Sequence, residues 1–371
     1  MWILPLLQQI SLIDNGVLDK IEEIPGKKSV ELREIGEFGV ISWIRGKMPL
    51  RDPTIAAGIG DDAAVMKPPR GSVCLVTTDI LIEGIHFRLD YTDPLRLGKK
   101  ALSINLSDIA AMGGAPQYFL LSMGLPPHLP FRWVEEFFGG VQQVADQYKL
   151  SLIGGDTSLA QKVTINITLI GQAKAGEVIY RKGAEIGDQI MVTGTLGNAA
   201  LGLRILESHK GDAGIFRTGD SDLVELIEKH LSPPPRIAEG RLIAENHLAS
   251  AMIDVSDGLV ADLGHILEES HTGARLWISQ LPLSEVYRRK APQYTSNDID
   301  LAISGGEDYE LLFTTPRKKE AKLLSLFGHS GLKLTRIGEI VDHEHGLRLF
   351  LDDGREYRPR AKGYDHFKKP R

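Results

Sequence analysis

A dispersed set of carboxylates holds the chemistry open to this sequence: Asp61, Asp62, Asp79, Asp108, Asp156, Asp254, Asp257 and Glu307. Asp61 and Asp62 sit in a glycine turn, GIGDDA, with no basic residue between Gly58 and Met66. The β-rich run from Val73 ends in Thr77, Thr78 and Asp79, and His86 follows a few residues later. Asp156 comes after LSLI and a Gly-Gly pair, Asp254 closes the apolar SAMI, and Glu307 follows Gly305–Gly306. Acids placed this way repel one another unless a cation lies among them. No His or Cys cluster accompanies them, and oxygen-only ligation suits magnesium, which keeps several waters and is shared with substrate phosphates. Each acid taken alone also reads as a cap or turn residue, Asp257 above all; their recurrence at strand ends favours a common role.

Other phosphate and hydrolase chemistries fit poorly. GIGDDA matches the looser dinucleotide fingerprint G-x-G-x-x-A, but such a loop offers bare backbone N–H groups to a pyrophosphate, and two aspartates there would repel it. No G-x-x-x-x-G-K-[ST], H-E-x-x-H or G-x-S-x-G run occurs. A formal net charge of -6 argues against a nucleic-acid surface. An acidic chain that handles phosphates must recruit metal ions. Cys74 is the single cysteine, so neither an intrachain disulfide nor a Cys-rich zinc site can form, and its place in SVCLVTT reads as a buried strand residue and not a nucleophile. The N-terminal MWILPLLQQISLIDNGVL has no basic leader and is broken by Gln8, Gln9, Asp14 and Asn15 well short of a membrane span of ~20 apolar residues. A cytoplasmic protein without membrane contact is the expectation.

The elements that must position these acids are legible in outline. The 371 residues suggest two domains. Residues 1–30 read as a disordered or loosely attached extension, and a helical spacing begins afresh at Leu32, Ile35, Phe38 and Ile41. Lys99 to Gly114 predicts a helix with Leu102, Leu106, Ile109 and Ala110 in one stripe, stopped by Gly113–Gly114. Asn105 and Asp108 share a face of it, and Asp108 is expected to point inward. Gln117 to Leu125 reads as a strand and Phe131 to Tyr148 as a helix. LSLIGGDTS predicts a strand, a Gly-Gly turn and then the acid, a formula repeated in AISGGEDYELLF. EVIYRKGAEIGD reads as a crossing segment. IMVTGTLGNAALGLRIL predicts strand, glycine turn and helix; Glu225 to His230 and IAEGRLIAENHL read as helices. In SAMIDVSDGLVADLGHILEES a strand ends at Asp254, and Ser256 or Asp257 caps a helix that buries Leu259, Leu263, Ile266 and Leu267. Lys318 to Phe327 predicts a helix, with strands at LKLTRIGEIV and GLRLFL. Interleaved strands and helices place the fold in the α/β (α+β) class.

Taken together, GIGDDAAV, VTTDILIEGIHF, KALSINLSDIAAMGG, LIGGDTS, IDVSDGLVADLGHI, SGGEDYELLF and KGYDHF resemble the thiamine-monophosphate kinases, of the superfamily that includes aminoimidazole ribonucleotide synthetase and selenophosphate synthetase. The match runs from about Leu32 to Phe367. The resemblance implies ATP-dependent phosphorylation of thiamine monophosphate to thiamine diphosphate with several magnesium ions, and no nucleophile or base, the charge being stabilised by bound magnesium and Arg181. It implies magnesium ligation by Asp62, Thr77, Thr78, Asp79, Asp108, Asp156, Asp254 and Asp257, and ATP contact by Gly155, Asp156, Arg181 and Ser256. His86, Glu307 and Tyr364 fall on positions that hold the thiamine moiety; an ATP-contacting aromatic falls near Phe138–Gly139. Residues 31–178 would form an ATP- and magnesium-binding dimerisation domain and 179–371 a second domain that completes the site, with the N-terminal sheets paired across a homodimer. From the residues alone, the better reading of His86 is a packed or solvated loop histidine, of Arg181 a surface cation and of Tyr364 a docked anchor without ligand contact; only the resemblance favours a site role. Rival readings are a related ligase of the superfamily, a non-catalytic Mg–ATP sensor and a magnesium phosphohydrolase. The absence of a cysteine before GIGDD disfavours the selenophosphate branch.

Overall fold

Six strands pair in the order β1-β2-β3-β6-β4-β5: β1 (Ile55–Ala57), β2 (Ala64–Met66), β3 (Ser72–Ile82), β4 (Ala115–Leu125), β5 (Ser151–Leu159) and β6 (Thr164–Lys174). The computed structural model describes residues 55–57, 64–66, 71–209, 216, 219–328, 331, 333–361, 363, 364 and 367. They belong, apart from residue 367, to a compact unit running from Thr54 to Tyr364. The expected extension, the helical spacing from Leu32 and the acids Asp61 and Asp62 lie outside the described residues. Pairing is antiparallel throughout except between β4 and the edge strand β5.

Period-2 alternation gives the sheet its two faces. Val73, Leu75, Thr77 and Leu81 of β3 are buried, while Thr78 and Ile80 are exposed. The buried face is covered by α1 (Pro94–Ala111), against which α2 (Phe131–Tyr148) packs, and Phe137, Val141 and Val144 of α2 join the same core. Helix α1 starts earlier than its apolar stripe predicts, because Asp93 caps it by accepting the Arg96 N–H at 2.9 Å and Pro94 opens its first turn. It is buried almost all round, polar residues included: Lys100, Ser103, Asn105 and Ser107 lie inside with Leu102, Leu106 and Ile109.

The second half follows with α3 (Asn198–Ser208), α4 (Ser221–Leu231), α5 (Ile237–Glu245), α6 (Leu259–Ser270), α7 (Glu285–Tyr294), α8 (Asp298–Ser304) and α9 (Glu320–Phe327). Its sheet, in the order β13-β12-β9-β11-β7-β10-β8, comprises β7 (Gln189–Thr193), β8 (Ala251–Asp254), β9 (Gly273–Trp277), β10 (Leu311–Thr315), β11 (Leu334–Val341), β12 (Leu347–Phe350) and β13 (Glu356–Tyr357). Strands β7, β8 and β10 are buried on both faces, which explains their unbroken apolar runs. Alternate residues serve different cores. Met191, Met252, Leu311 and Phe313 join the core beneath the first sheet, whereas Val192, Ile253 and Leu312 pack with Leu259, Leu263 and Ile266 of α6. The two sheets are therefore joined through a shared core. Among the described residues no helix is long and apolar enough to cross a membrane.

Four local expectations are corrected. Strand β3 does not stop at Asp79 but pairs with β6 as far as Ile82. Strand β5 runs straight through Gly154–Gly155, so no turn precedes Asp156. Gly155 is needed there for packing: its φ is +155°, and a Cβ would fall 1.8 Å from the Leu121 carbonyl oxygen of β4. The segment before Gly305–Gly306 is helix α8, and the strand follows the acids instead of preceding them. Neither Ser256 nor Asp257 caps α6, whose N-cap is Gly258; the Asp262 carboxylate performs that service from within the helix.

Candidate active site

Helix α1 is the pillar of the site. Lys100 and Ser107 are seven residues apart, hence on one face and about 10 Å apart along the axis. The Ser107 hydroxyl donates to Oδ2 of Asp254 at 2.6 Å, and Lys100 Nζ lies 2.8 Å from Oε1 of Glu307. One residue further round, Asp108 accepts a hydrogen bond from the Thr77 hydroxyl of β3. The expected inward orientation of Asp108 is therefore met by a partner in the first sheet, while Ser107 reaches the second. Asn105 does not join Asp108; its side chain turns back to donate to the Ala101 carbonyl at 3.1 Å.

On the second half, three of the sequence motifs stack. Val255 N–H donates to Glu310 O at 2.8 Å, Glu307 N–H to Ser256 O at 2.8 Å and Tyr309 N–H to Val255 O at 2.9 Å. The C-terminal segment lies against them, with Tyr364 N–H on Asp257 O at 3.1 Å and the Ser304 hydroxyl on Ala361 O at 2.7 Å. The turn of IDVSDG is held by Asp262, which is buried and accepts the N–H groups of Ser256 at 3.1 Å, Asp257 at 3.2 Å and Gly258 at 3.0 Å. Burial above all, then the charges of Asp257 and Asp254, pushes its carboxyl well above the usual range, with Arg181 acting in the other direction.

The GGEDYE loop divides its side chains by alternation. Asp308 turns away to accept the N–H groups of Gly197 at 2.7 Å and Ala199 at 3.2 Å, at the start of α3. Glu310 turns away to Arg236, whose Nε donates at 2.7 Å, and to the Thr193 hydroxyl at 2.7 Å. Glu307 and Tyr309 adopt left-handed backbone conformations, φ +68° and +50°, which non-glycine residues rarely hold. The Tyr309 ring packs against the core of the first half. Burial, followed by the charges of Glu307, Asp79, Asp254 and Asp108, pushes its hydroxyl well above its ordinary value. Charges of carboxylates from both halves thus bear on one phenol. Sequence reasoning missed Tyr309 and Asp262; the only signal was their place inside SGGEDYELLF and VSDGLVAD.

The sheet separates some of the remaining candidates. Thr77 and Asp79 alternate on the α1 side of β3, but Thr78 lies on the outer face, with its hydroxyl on Ile167 O at 3.0 Å and beside Thr168 at 3.0 Å. Asp156 is in register with the outward Ser122, which puts it on that outer face as well. His86 sits in the loop after β3, where its Nδ1 accepts the Ile82 N–H at 3.0 Å. Arg181 lies in the crossing segment before β7, and Tyr364 is largely exposed beside the Asp257 turn. Asp62 lies outside the described residues, and among those described no three His, Cys, Asp or Glu side chains close into a metal cage.

Comparison with known proteins places this geometry. The profile of the AIR synthase related protein N-terminal domain matches residues 60–173 and that of the C-terminal domain residues 185–349. Thiamine-monophosphate kinase of Escherichia coli K12 is 38% identical over 335 residues, 90% of this chain and 99% of that protein. This chain belongs to the thiamine-monophosphate kinase family. The family's Aquifex aeolicus member is 36% identical over 338 residues, covering 91% of this chain and all of that protein. A solved structure described as AaThiL complexed with AMPPCP and TMP superposes with a TM-score of 0.78 at 35% identity, over 92% of this chain and 100% of the other. Hydrogenase maturation protein HypE in complex with ATP, at 19% identity and a TM-score of 0.61 over 88% of this chain and 96% of the other, shares the fold.

Proposed function

We propose that this enzyme transfers the γ-phosphoryl group of ATP directly to thiamine monophosphate, giving thiamine diphosphate and ADP, and that it does so in the cytoplasm with magnesium. The observation that carries the reading is the meeting of Asp79 and Asp108 with Asp254 and Glu307 around α1 and Tyr309. Family membership and the similarity to a kinase complexed with AMPPCP, a methylene-bridged ATP analogue, and TMP support it.

The donor set fits the metal. Carboxylate oxygens and threonine hydroxyls suit magnesium, and an incomplete protein cage suits an ion whose other ligands are phosphates and water. Asp79, Asp108 and Asp254 would hold it, with Thr77, Asp257 and Asp62 assigned with them by the family pattern. When bound, magnesium neutralises phosphate charge. The acceptor is a phosphate monoester with a second pKa of about 6, so it is nucleophilic at neutral pH without a general base. The remaining obstacle is repulsion between two anions. Arg181 and Ser256 would orient ATP beside the Asp257 turn, and His86, Glu307 and Tyr364 would seat the thiamine moiety, leaving in-line positioning to do the rest.

Thr78, Gly155 and Asp156 suit a different geometry. They occupy or border the outer face of the first sheet, where Ile80 and Tyr118 are 47% and 44% exposed. A homodimer that stacks two such faces would cover these residues and bring one copy's Asp156 toward its partner's sheet. The test is incubation with ATP, magnesium and thiamine monophosphate. Thiamine diphosphate and ADP in equal amounts, with inversion at a chirally labelled γ-phosphorus, are expected. Release of inorganic phosphate, turnover only with an aminoimidazole precursor, or ATP binding without turnover would overturn the proposal in favour of a hydrolase, a ligase or a sensor respectively.

A further inference from the structure

Glu307 is held by two buried side chains that the site described above does not otherwise use. Lys100 Nζ lies 2.8 Å from Oε1, and Nδ1 of His230, from α4, lies 2.7 Å from Oε2. Lys100 is 1% exposed and His230 2% exposed, whereas about a quarter (26%) of the Glu307 side chain meets solvent. A lysine ammonium buried in mid-helix is expensive, and apolar replacements of such ion pairs are often neutral or stabilising. Stability alone therefore gives a weak reason for the trio. The main chain is fixed too: Glu307 has φ +68° and donates its N–H to Ser256, and a Cβ on the preceding Gly306 would lie 2.2 Å from that same Ser256 oxygen. A carboxylate offers about four lone-pair directions. Lys100 and His230 close against it from inside, which leaves the open side of the group facing solvent.

We infer that Lys100 and His230 are positioning residues for substrate recognition, acting through Glu307 to present an ionised, fixed carboxylate to a hydrogen-bond donor of the thiamine moiety. This rests on the function proposed above, in which Glu307 meets that moiety. The electrostatics agree. Burial pushes the Glu307 carboxyl up, but Lys100 and then His230 outweigh it and hold the group well below the usual range. Burial, then Lys100, pulls the His230 imidazole below its ordinary value, so at neutral pH it lies against Glu307 uncharged. Lys100 cancels the charge of Glu307, so the carboxylate serves to direct a donor more than to attract a cation.

Lys100→Met, His230→Leu, His230→Asn and Glu307→Gln, with the Lys100→Met/Glu307→Gln double variant, test this. Lys100→Met and His230→Leu are expected to raise the KM for thiamine monophosphate by about tenfold to a hundredfold, the range for losing a buried hydrogen bond to a charged group, and to leave the KM for ATP within about twofold. His230→Asn should restore most of the loss, because its amide nitrogen takes the place of Nδ1. The double variant should be no worse than Glu307→Gln, since residues acting through one group do not add. Equal effects on both substrates, additive effects, or His230→Asn as impaired as His230→Leu would overturn the inference. If Lys100→Met does not fold, the His230 pair decides. Failure of the parent enzyme to turn over thiamine monophosphate would overturn the proposed function instead; crystal structures of the His230 variants would still judge this inference, with Glu307 displaced in His230→Leu and in place in His230→Asn.

Discussion

Asp308 offers a prediction whose size and sign follow from its surroundings. It is buried between Glu307 and Tyr309 and ties the loop to α3 through the amides of Gly197 and Ala199. Burial dominates over those two amides and pushes its carboxyl from 3.8 up to about 7. The folded protein then keeps a proton that the unfolded chain has already lost, so stability is fullest below about pH 4 and falls as pH rises toward 7. A gap of about three pKa units corresponds to roughly 4 kcal/mol as a ceiling, of which about 2 kcal/mol falls between pH 5.5 and pH 8. Asp308→Asn imitates the protonated side chain and cannot ionise. Urea denaturation of both proteins at the two pH values, followed by the same probe, gives the comparison. The parent protein should lose about 2 kcal/mol relative to Asp308→Asn on going from pH 5.5 to pH 8. A pH-independent difference, or one that grows in favour of the parent at high pH, would show that the amides and the start of α3 hold Asp308 ionised, and would refute the reasoning.

Asp79→Asn should lower kcat/KM by at least about 10² with an unchanged circular dichroism spectrum; near-normal turnover would count against a metal held by Asp79. Ser107→Ala leaves the buried Asp254 carboxylate without its hydroxyl donor and should cost about 1.5–3 kcal/mol in chemical denaturation, and a smaller loss would mean that water replaces the hydroxyl. Ile80→Asp, on the outer face of the first sheet, should convert a dimer to monomers in sedimentation, and an unchanged mass would exclude that face as the interface.

Much of the fold is written in periodicity, and where periodicity was silent the fold surprised. The helix Phe131–Tyr148 and the strands ending at Thr193 and Asp254 coincide with their patterns, because the helix is amphipathic and the two strands, buried on both faces, read as short apolar runs. Gly154–Gly155 reads as a turn, yet the pair continues β5, since the register with β4 demands a missing Cβ at Gly155 and the sequence cannot reveal the neighbouring Leu121 carbonyl. The polar residues of α1 were legible only in part. Asp108 stood out in an apolar helix, but nothing in the sequence singles out Lys100 and Ser107, whose partners come from the second half of the chain.

Which acids can act together is a tertiary property, and α1 decides it. The sequence treats Asp79, Asp108, Asp156 and Asp254 alike, as acids beside apolar strands or on an apolar helix. In the fold, Asp79 faces α1 because it is two residues from Thr77, and Thr78 faces away because it is one. Asp108 joins Thr77 because the helix lies across β3, and Asp254 joins them because Ser107, the very next residue, points to β8. A single helical step of about 100° thus divides adjacent side chains between two sheets. Any ion held by these carboxylates would bridge the two halves of the molecule, so its binding should tighten their packing: magnesium with nucleotide should slow amide exchange in α1 and in the 305–310 loop together. Protection confined to one of them would mean that the carboxylates of the two halves serve separate sites.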